Sequence, residues 1–124
     1  VTHGIRISVK SKYVKSFFDG TGWDSLFAYA IHIKNQNEET YQLLRRHWVI
    51  SDSLNETKVV DGEGVIGKTP TLKPGSAFMY QSHCILKSSM GSMQGYYTMQ
   101  NVETKEILHI EIPRFPLFSD FIYN

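Results

Sequence analysis

Gly62-x-Gly64-x-x-Gly67 followed by Lys68 is the spacing in this chain closest to a recognised piece of chemistry. Such glycines cradle a pyrophosphate when the third one opens a helix, because free N–H groups and the positive dipole end then receive the anion. Here Lys68-Thr69-Pro70 follows, and no helix reads there. The spacing is expected to serve a bulge or a sharp strand-to-strand turn. The alternative is a nest of backbone amides that holds phosphate or another anion, with Lys68 beside it. Upstream, Arg46-His47-Trp48 falls in an extended run, so Arg46 and Trp48 share a face and His47 takes the other. With Trp48 in the core, an unpaired Arg46 would be costly. The expectation is an ion pair to Glu63 or Glu111 that ties the strand to the glycine loop, with anion binding as a second role. The candidate anion site is therefore Gly62, Gly64, Gly67, Lys68 and Arg46.

The remaining reactive side chains are poorly arranged for chemistry. His3, His32, His47, His83 and His109 contain no HxH or HxxxH pair. His83 and Cys84 are adjacent in a strand and face opposite sides, so they cannot chelate one ion together. No metal site and no cofactor is expected. Cys84 has no acidic partner in a recognisable motif and reads as a small buried residue. Asp52, Asp61, Glu63 and Glu111 show no paired spacing for acid–base work. A catalytic site is not expected.

Residues 2–10 place Ile5, Ile7 and Val9 on one face of a strand, and 26–34 do the same for Phe27, Tyr29, Ile31 and Ile33. Between them, 11–25 read as a long loop containing Gly20, Gly22, Phe17, Phe18 and Trp23. Asn35 to Glu39 is turn chemistry, with 41–51 as the returning hairpin partner. A turn at 52–55 leads to a short strand at 56–60, the glycine loop and an extended piece from Thr69. Lys73-Pro74-Gly75 is a tight turn, and 77–86 a strand with Phe78, Tyr80, Ser82 and Cys84 facing one way. After a loop at 88–92, strands at 93–100 and 106–111 form a last hairpin. Pro113 and Pro116 cannot donate ladder hydrogen bonds, so the sheet is expected to stop near Ile112. Short strands at nearly regular spacing give an all-β sandwich of two antiparallel sheets, seven to eight strands in all.

The 124 residues make one domain, 1–124, with 118–124 as a tail. No apolar run of ~18 residues is present, so no membrane span and no membrane partner are expected. A single cysteine fits a reducing, cytoplasmic setting. The formal charge of +1 gives little long-range field. Counterion release from nucleic acid is then a weak driving force unless the charges are segregated, and no nucleic-acid partner is expected. Lys10, Lys12 and Lys15 do cluster, as at a solvated strand end. Phe17, Phe18, Trp23, Phe115, Phe118, Phe121 and Tyr123 exceed what the strands need. They either cap the ends of the sandwich or form a partner surface, of which Phe17, Phe18, Trp23 and Phe118 are the candidates.

Seven ordered motifs resemble the ApaG domain family. They are Gln42-Leu43-Leu44, Arg46-His47-Trp48, Gly62-Glu63-Gly64-Val65-Ile66-Gly67, Pro70-x-Leu72-x-Pro74-Gly75, Phe78-x-Tyr80, Gly91-Ser92-Met93-x-Gly95-x-Tyr97 and Ile112-Pro113-Arg114-Phe115. The resemblance runs from Thr2 to about Leu117. It implies an immunoglobulin- or fibronectin-III-like sandwich, a cytoplasmic homodimer, a loose link to cobalt and magnesium tolerance, and use as a protein-interaction module. It implies no enzymatic activity. The functional expectation is thus a non-catalytic binding module for a protein partner, the alternative being a sensor of phosphate, nucleotide or divalent cation near the glycine loop.

Overall fold

A computed structural model describes residues 3–119. Its elements are β1 (Ile5–Phe18), β2 (Trp23–Asn35), β3 (Tyr41–Asp52), β4 (Lys58–Glu63), β5 (Thr71–Leu72), β6 (Ala77–Leu86), β7 (Met90–Asn101) and β8 (Ile107–Phe118). Two antiparallel sheets face each other, one ordered β1-β2-β6 and the other β4-β3-β7-β8, with β5 also on β3. Period-2 alternation does the sorting: β2 buries Phe27, Tyr29, Ile31 and Ile33, and on β1 Ile7, opposite Ile33, and Ile5, opposite Asn35, are buried with them. From the other sheet Leu43, Trp48, Tyr97, Met99, Ile110 and Leu117 close the core. Trp48 is its aromatic centre, meeting Tyr29 (5.6 Å between ring centres) and Phe115 (6.0 Å) edge to face.

Three expectations are corrected. Residues 11–25 are not a long loop: β1 continues to Phe18, and Phe18 pairs with Trp23 across a tight turn. Asp19 makes that turn, its Oδ1 accepting the amides of Thr21 (2.8 Å) and Gly22 (2.9 Å). A bulge between Tyr13 and Lys15 shifts the alternation and hides the strand from a period-2 reading. Nor is 41–51 the hairpin partner of 26–34, since β2 and β3 lie in different sheets. Buried Asn35 turns the chain across: its Nδ2 donates to the carbonyls of Glu39 (2.7 Å) and Leu72 (2.9 Å), bridging one sheet to the other. The third correction concerns the end of the sheet, which runs to Phe118 and not to Ile112. β8 is an edge strand, so its prolines need donate nothing outward, and Pro113 sits at the bulge between Met93 and Gly95.

Smaller shifts follow the same logic. β4 occupies 58–63 where 56–60 was expected, and β7 begins at Met90, inside the expected loop 88–92. The turn at 73–75 is as read, with the Ser76 amide on the Lys73 carbonyl (2.9 Å) and Gly75 at φ 78°.

Candidate functional site

The glycine segment is an excursion from a nearly continuous edge strand. Going along β3 from Ile50 to Arg45, its partner is β4, from Lys58 to Glu63; at Gln42 and Tyr41 the partner is β5. Between these, residues 64–70 loop out. The base of the loop is closed by the Gly64 amide on the Leu44 carbonyl (2.7 Å) and the Leu43 amide on the Pro70 carbonyl (3.0 Å). Inside it, Val65 and Lys68 exchange both backbone hydrogen bonds, 2.8 and 2.9 Å, around Ile66 and Gly67. Both of those residues have positive φ, 44° and 76°, the signature of a type I′ hairpin turn. Gly64 is also left-handed (φ 62°), and a Cβ there would stand 2.2 Å from the Lys68 carbonyl oxygen. No helix follows Gly67; the chain runs extended into β5. What the excursion achieves is burial: Val65 at its inner end is fully enclosed, while Ile66 at its tip is exposed.

Arg46 locks the base of this loop by a different bond from the one expected. Its Nη1 donates to the main-chain carbonyls of Glu63 and Gly64, both at 2.9 Å. Neither Glu63 nor Glu111 pairs with it through a carboxylate, because register puts both on the other face of the sheet: Glu63 lies opposite Arg45 and Glu111 opposite Tyr96, whereas Arg46 lies opposite Gly62 and Tyr97, where its guanidinium covers Gly62 and reaches the carbonyls. Gly62 leaves the room: a Cβ there would lie 2.7 Å from the Arg46 Cζ. The structure thus brings Gly62, Gly64 and Arg46 into one unit. The amides of Gly64, Val65 and Lys68 are spent within it, and the Lys68 side chain stands exposed beside it.

Where the two sheets part, between β4 and β6, a cleft of about 490 Å³ opens. Arg46, Lys58, Ile66 and His83 stand among its walls, and Tyr29, Trp48, Tyr80 and Cys84 are deeper within. Burial sets the chemistry here. It pushes the Tyr80 and Tyr97 phenols well above their usual range, and their hydroxyls bond each other. It also pushes the Cys84 thiol up to about 11, so the sulfur is held as a thiol and not as a nucleophilic thiolate. His83 faces away from Cys84, outward from β6. Among the described residues no three His, Cys, Asp or Glu side chains converge as for a metal ion.

The outer face of the β3 sheet carries a stack that sequence spacing did not reveal. His47 Nδ1 meets Asp61 Oδ1 at 2.5 Å, and its ring stacks on Tyr96, which packs against His109. Only the register of β3, β4, β7 and β8 aligns these residues, which lie far apart in the chain.

The candidate partner residues gather at one end of the sandwich. Phe18 (60% exposed) and Trp23 (45%) flank the β1–β2 turn and meet edge to face, and Phe118 (64%) ends β8 opposite Met90. Exposed Leu54, in the turn after β3, lies at the same end, where the Ser53 amide bonds the Met90 carbonyl. Phe17 is half-buried, and Phe115 belongs to the core. Phe121 and Tyr123 lie outside the described residues. Lys87 ties the end together, its Nζ on Asp19 (2.6 Å) and Asp24 (3.2 Å) and its amide on Asp52 (2.6 Å). These contacts hold the Asp19 carboxyl below the usual range, the Lys87 bond first and the turn amides next.

Comparison with known proteins agrees with this architecture. The ApaG domain family matches residues 19–101. Protein ApaG of Methylobacterium radiotolerans is 40% identical over 121 residues, covering 98% of this chain and 92% of that protein. Protein ApaG of Shewanella sediminis is 41% identical over 113 residues, covering 91% and 89%. An X-ray structure of a Northeast Structural Genomics Consortium target superposes with a TM-score of 0.90 at 34% identity, covering 97% of this chain and 90% of that one. The chain belongs to the ApaG domain family.

Proposed function

We propose that this chain is a non-catalytic, cytoplasmic interaction module that offers the Phe18–Trp23–Phe118 end of its sandwich to a protein partner. One observation carries the reading: large apolar side chains from three separate connections, Phe18 and Trp23, Leu54, and Met90 with Phe118, are exposed together at that end. Clustered exposed aromatics are the usual anchors of interfaces. Immunoglobulin- and fibronectin-III-like sandwiches present binding loops from their ends in the same way. A second copy of the chain is one partner this end could take. The non-catalytic reading is supported by Arg46 and the Gly64, Val65 and Lys68 amides being spent on the main chain, and by a Cys84 thiol that burial keeps protonated. A link to cobalt and magnesium tolerance would run through the partner.

The test is affinity capture from the source cytosol with the wild type and with Phe18→Ser/Phe118→Ser. A protein retained at constant stoichiometry by the first and lost by the second, at equal melting temperature, supports the proposal. Equal retention by both refutes it. The cleft walled by Arg46 and Lys58 is the observation behind a small-ligand alternative. On that reading phosphate, a nucleotide, Mg²⁺ or Co²⁺ raises the melting temperature in a saturable way.

A further inference from the structure

The outer face of the β1-β2-β6 sheet carries charge of one sign. Register sets Arg6 opposite Lys34, Lys10 opposite Ala30, Lys12 opposite Ala28 and Lys15 opposite Leu26, all on the side away from the core. Across these three strands the one acidic residue is Asp24, which is buried and turned to Lys87. Acids in the flanking turns do not neutralise the face. Asp19 is bonded to Lys87, Glu39 to Asn101, and Glu38 forms no ion pair. Among the described residues none of the five cations makes an ion pair or a side-chain hydrogen bond. The opposite sheet is different, since it mixes signs: Arg45 lies opposite Glu63, His47 opposite Asp61, and Glu111 opposite Tyr96. A net charge of +1 therefore conceals a division between a basic face and a mixed one.

Such a face carries an unrelieved cost. Like charges directly opposite on neighbouring strands destabilise a sheet, and Arg6 and Lys34 are so placed. Lys10 and Lys12 follow each other along the same face at about 6.7 Å, and the row from Arg6 to Lys15 spans roughly 30 Å. An anionic polymer laid along the row would relieve that repulsion at several points together. Ala28 and Ala30 floor a furrow beside the lysines, with hollows of about 610 and 390 Å³. Between Arg6 and Lys15 the face presents no Phe, Tyr or Trp. Beyond the small imidazoles of His32 and His83, unpaired bases would find no platform to stack on, as a single strand requires. A double helix, with its bases enclosed and its phosphates outward, matches what the face offers. The expectation of no nucleic-acid partner turned on charges that were not segregated, and the sheet segregates them.

We propose that the outer face of the β1-β2-β6 sheet binds the phosphate backbone of a nucleic-acid double helix without reading its sequence, through Arg6, Lys10, Lys12, Lys15 and Lys34. Fluorescence anisotropy of a labelled 24-base-pair DNA duplex tests this, with an RNA duplex of the same length and single-stranded oligothymidylate as further probes. The full chain should bind both duplexes saturably at low salt. The logarithm of the affinity should fall against the logarithm of salt concentration with a slope between about −2.7 and −4.5, for three to five phosphate contacts. Lys12→Glu should weaken binding about tenfold or more and flatten the slope by about 1, and Lys10→Glu/Lys12→Glu should abolish it. Lys105→Glu makes the same change in net charge away from the face and should leave the affinity within about threefold. Circular dichroism melts of each variant confirm that the fold is kept, since these side chains are exposed. No saturable duplex binding, equal losses for Lys12→Glu and Lys105→Glu, or tighter binding of the single strand than of the duplexes would each overturn the proposal.

Discussion

Replacing Gly62 by alanine should destabilise this protein in one background and not in another. The φ of Gly62 lies outside the left-handed region, so alanine brings no backbone strain there. What it meets is the Arg46 guanidinium, 2.7 Å from the new Cβ. An arginine tip can ordinarily swing aside, but this one is held by two carbonyls, so moving it breaks both bonds. Hydrogen bonds to a charged group contribute about 1.5–3 kcal/mol each when buried. Arg46 is only half-buried, so the pair together is set at about 2–3 kcal/mol. Glycine to alanine returns about 0.4–1 kcal/mol by restricting the unfolded chain. Gly62→Ala should therefore cost about 1–2 kcal/mol in the wild type, and Arg46→Ala about 2–3 kcal/mol, a fall of roughly 8–12 °C in melting temperature. With Arg46→Ala already present, Gly62→Ala should be neutral or stabilising by up to about 1 kcal/mol. The coupling in this double-mutant cycle, about 2 kcal/mol, is well above the ~0.5 kcal/mol error of additivity. Urea unfolding of the four proteins reads it. A Gly62→Ala effect of the same sign and size in both backgrounds would refute the reasoning.

Two further outcomes follow from the core. Tyr80→Phe removes the partner of the buried Tyr97 hydroxyl and should cost about 1–3 kcal/mol, whereas adding Tyr97→Phe should recover part of that loss; chemical denaturation of the wild type and the two variants checks it. Cys84, with its thiol raised to about 11 from 9.0, should react with iodoacetamide at pH 8 about a hundredfold more slowly in the native than in the unfolded protein. Because the native state keeps this proton longer, its share of stability is full below pH 9 and lost as pH rises from about 9 to about 11. Cys84→Ala should flatten that part of the pH–stability curve, and a curve unchanged by it would count against the burial.

Strands with one clean buried face were legible in the chain. The alternation of Phe27, Tyr29, Ile31 and Ile33 needs no tertiary information, and Lys73-Pro74-Gly75 encodes its turn locally. What failed depended on partners distant in sequence. The Tyr13 bulge breaks the alternation of β1, so its outer half looked like polar loop, and turn chemistry at Asn35 does not say whether the flanking strands pair or part. Pro113 and Pro116 are forbidden in a central strand and harmless at an edge, a distinction only the strand order makes. In the candidate site, spacing groups Gly62 and Gly64 with Arg46 but does not give the bond between them, and Gly67 serves the turn at the tip. A main-chain carbonyl leaves no mark in sequence, whereas a carboxylate does. The basic face was half visible as Lys10, Lys12 and Lys15, and Arg6 and Lys34 join it only through register.

The central claim is that the glycine motif joins two strands and spends the Gly64, Val65 and Lys68 amides on its own main chain. An amide NMR titration with pyrophosphate, followed across Gly62 to Lys68, tests it most directly. The account predicts that the Gly64, Val65 and Lys68 signals stay in place at millimolar pyrophosphate, since their hydrogen bonds are already made within the loop. Saturable shifts confined to those residues would contradict it.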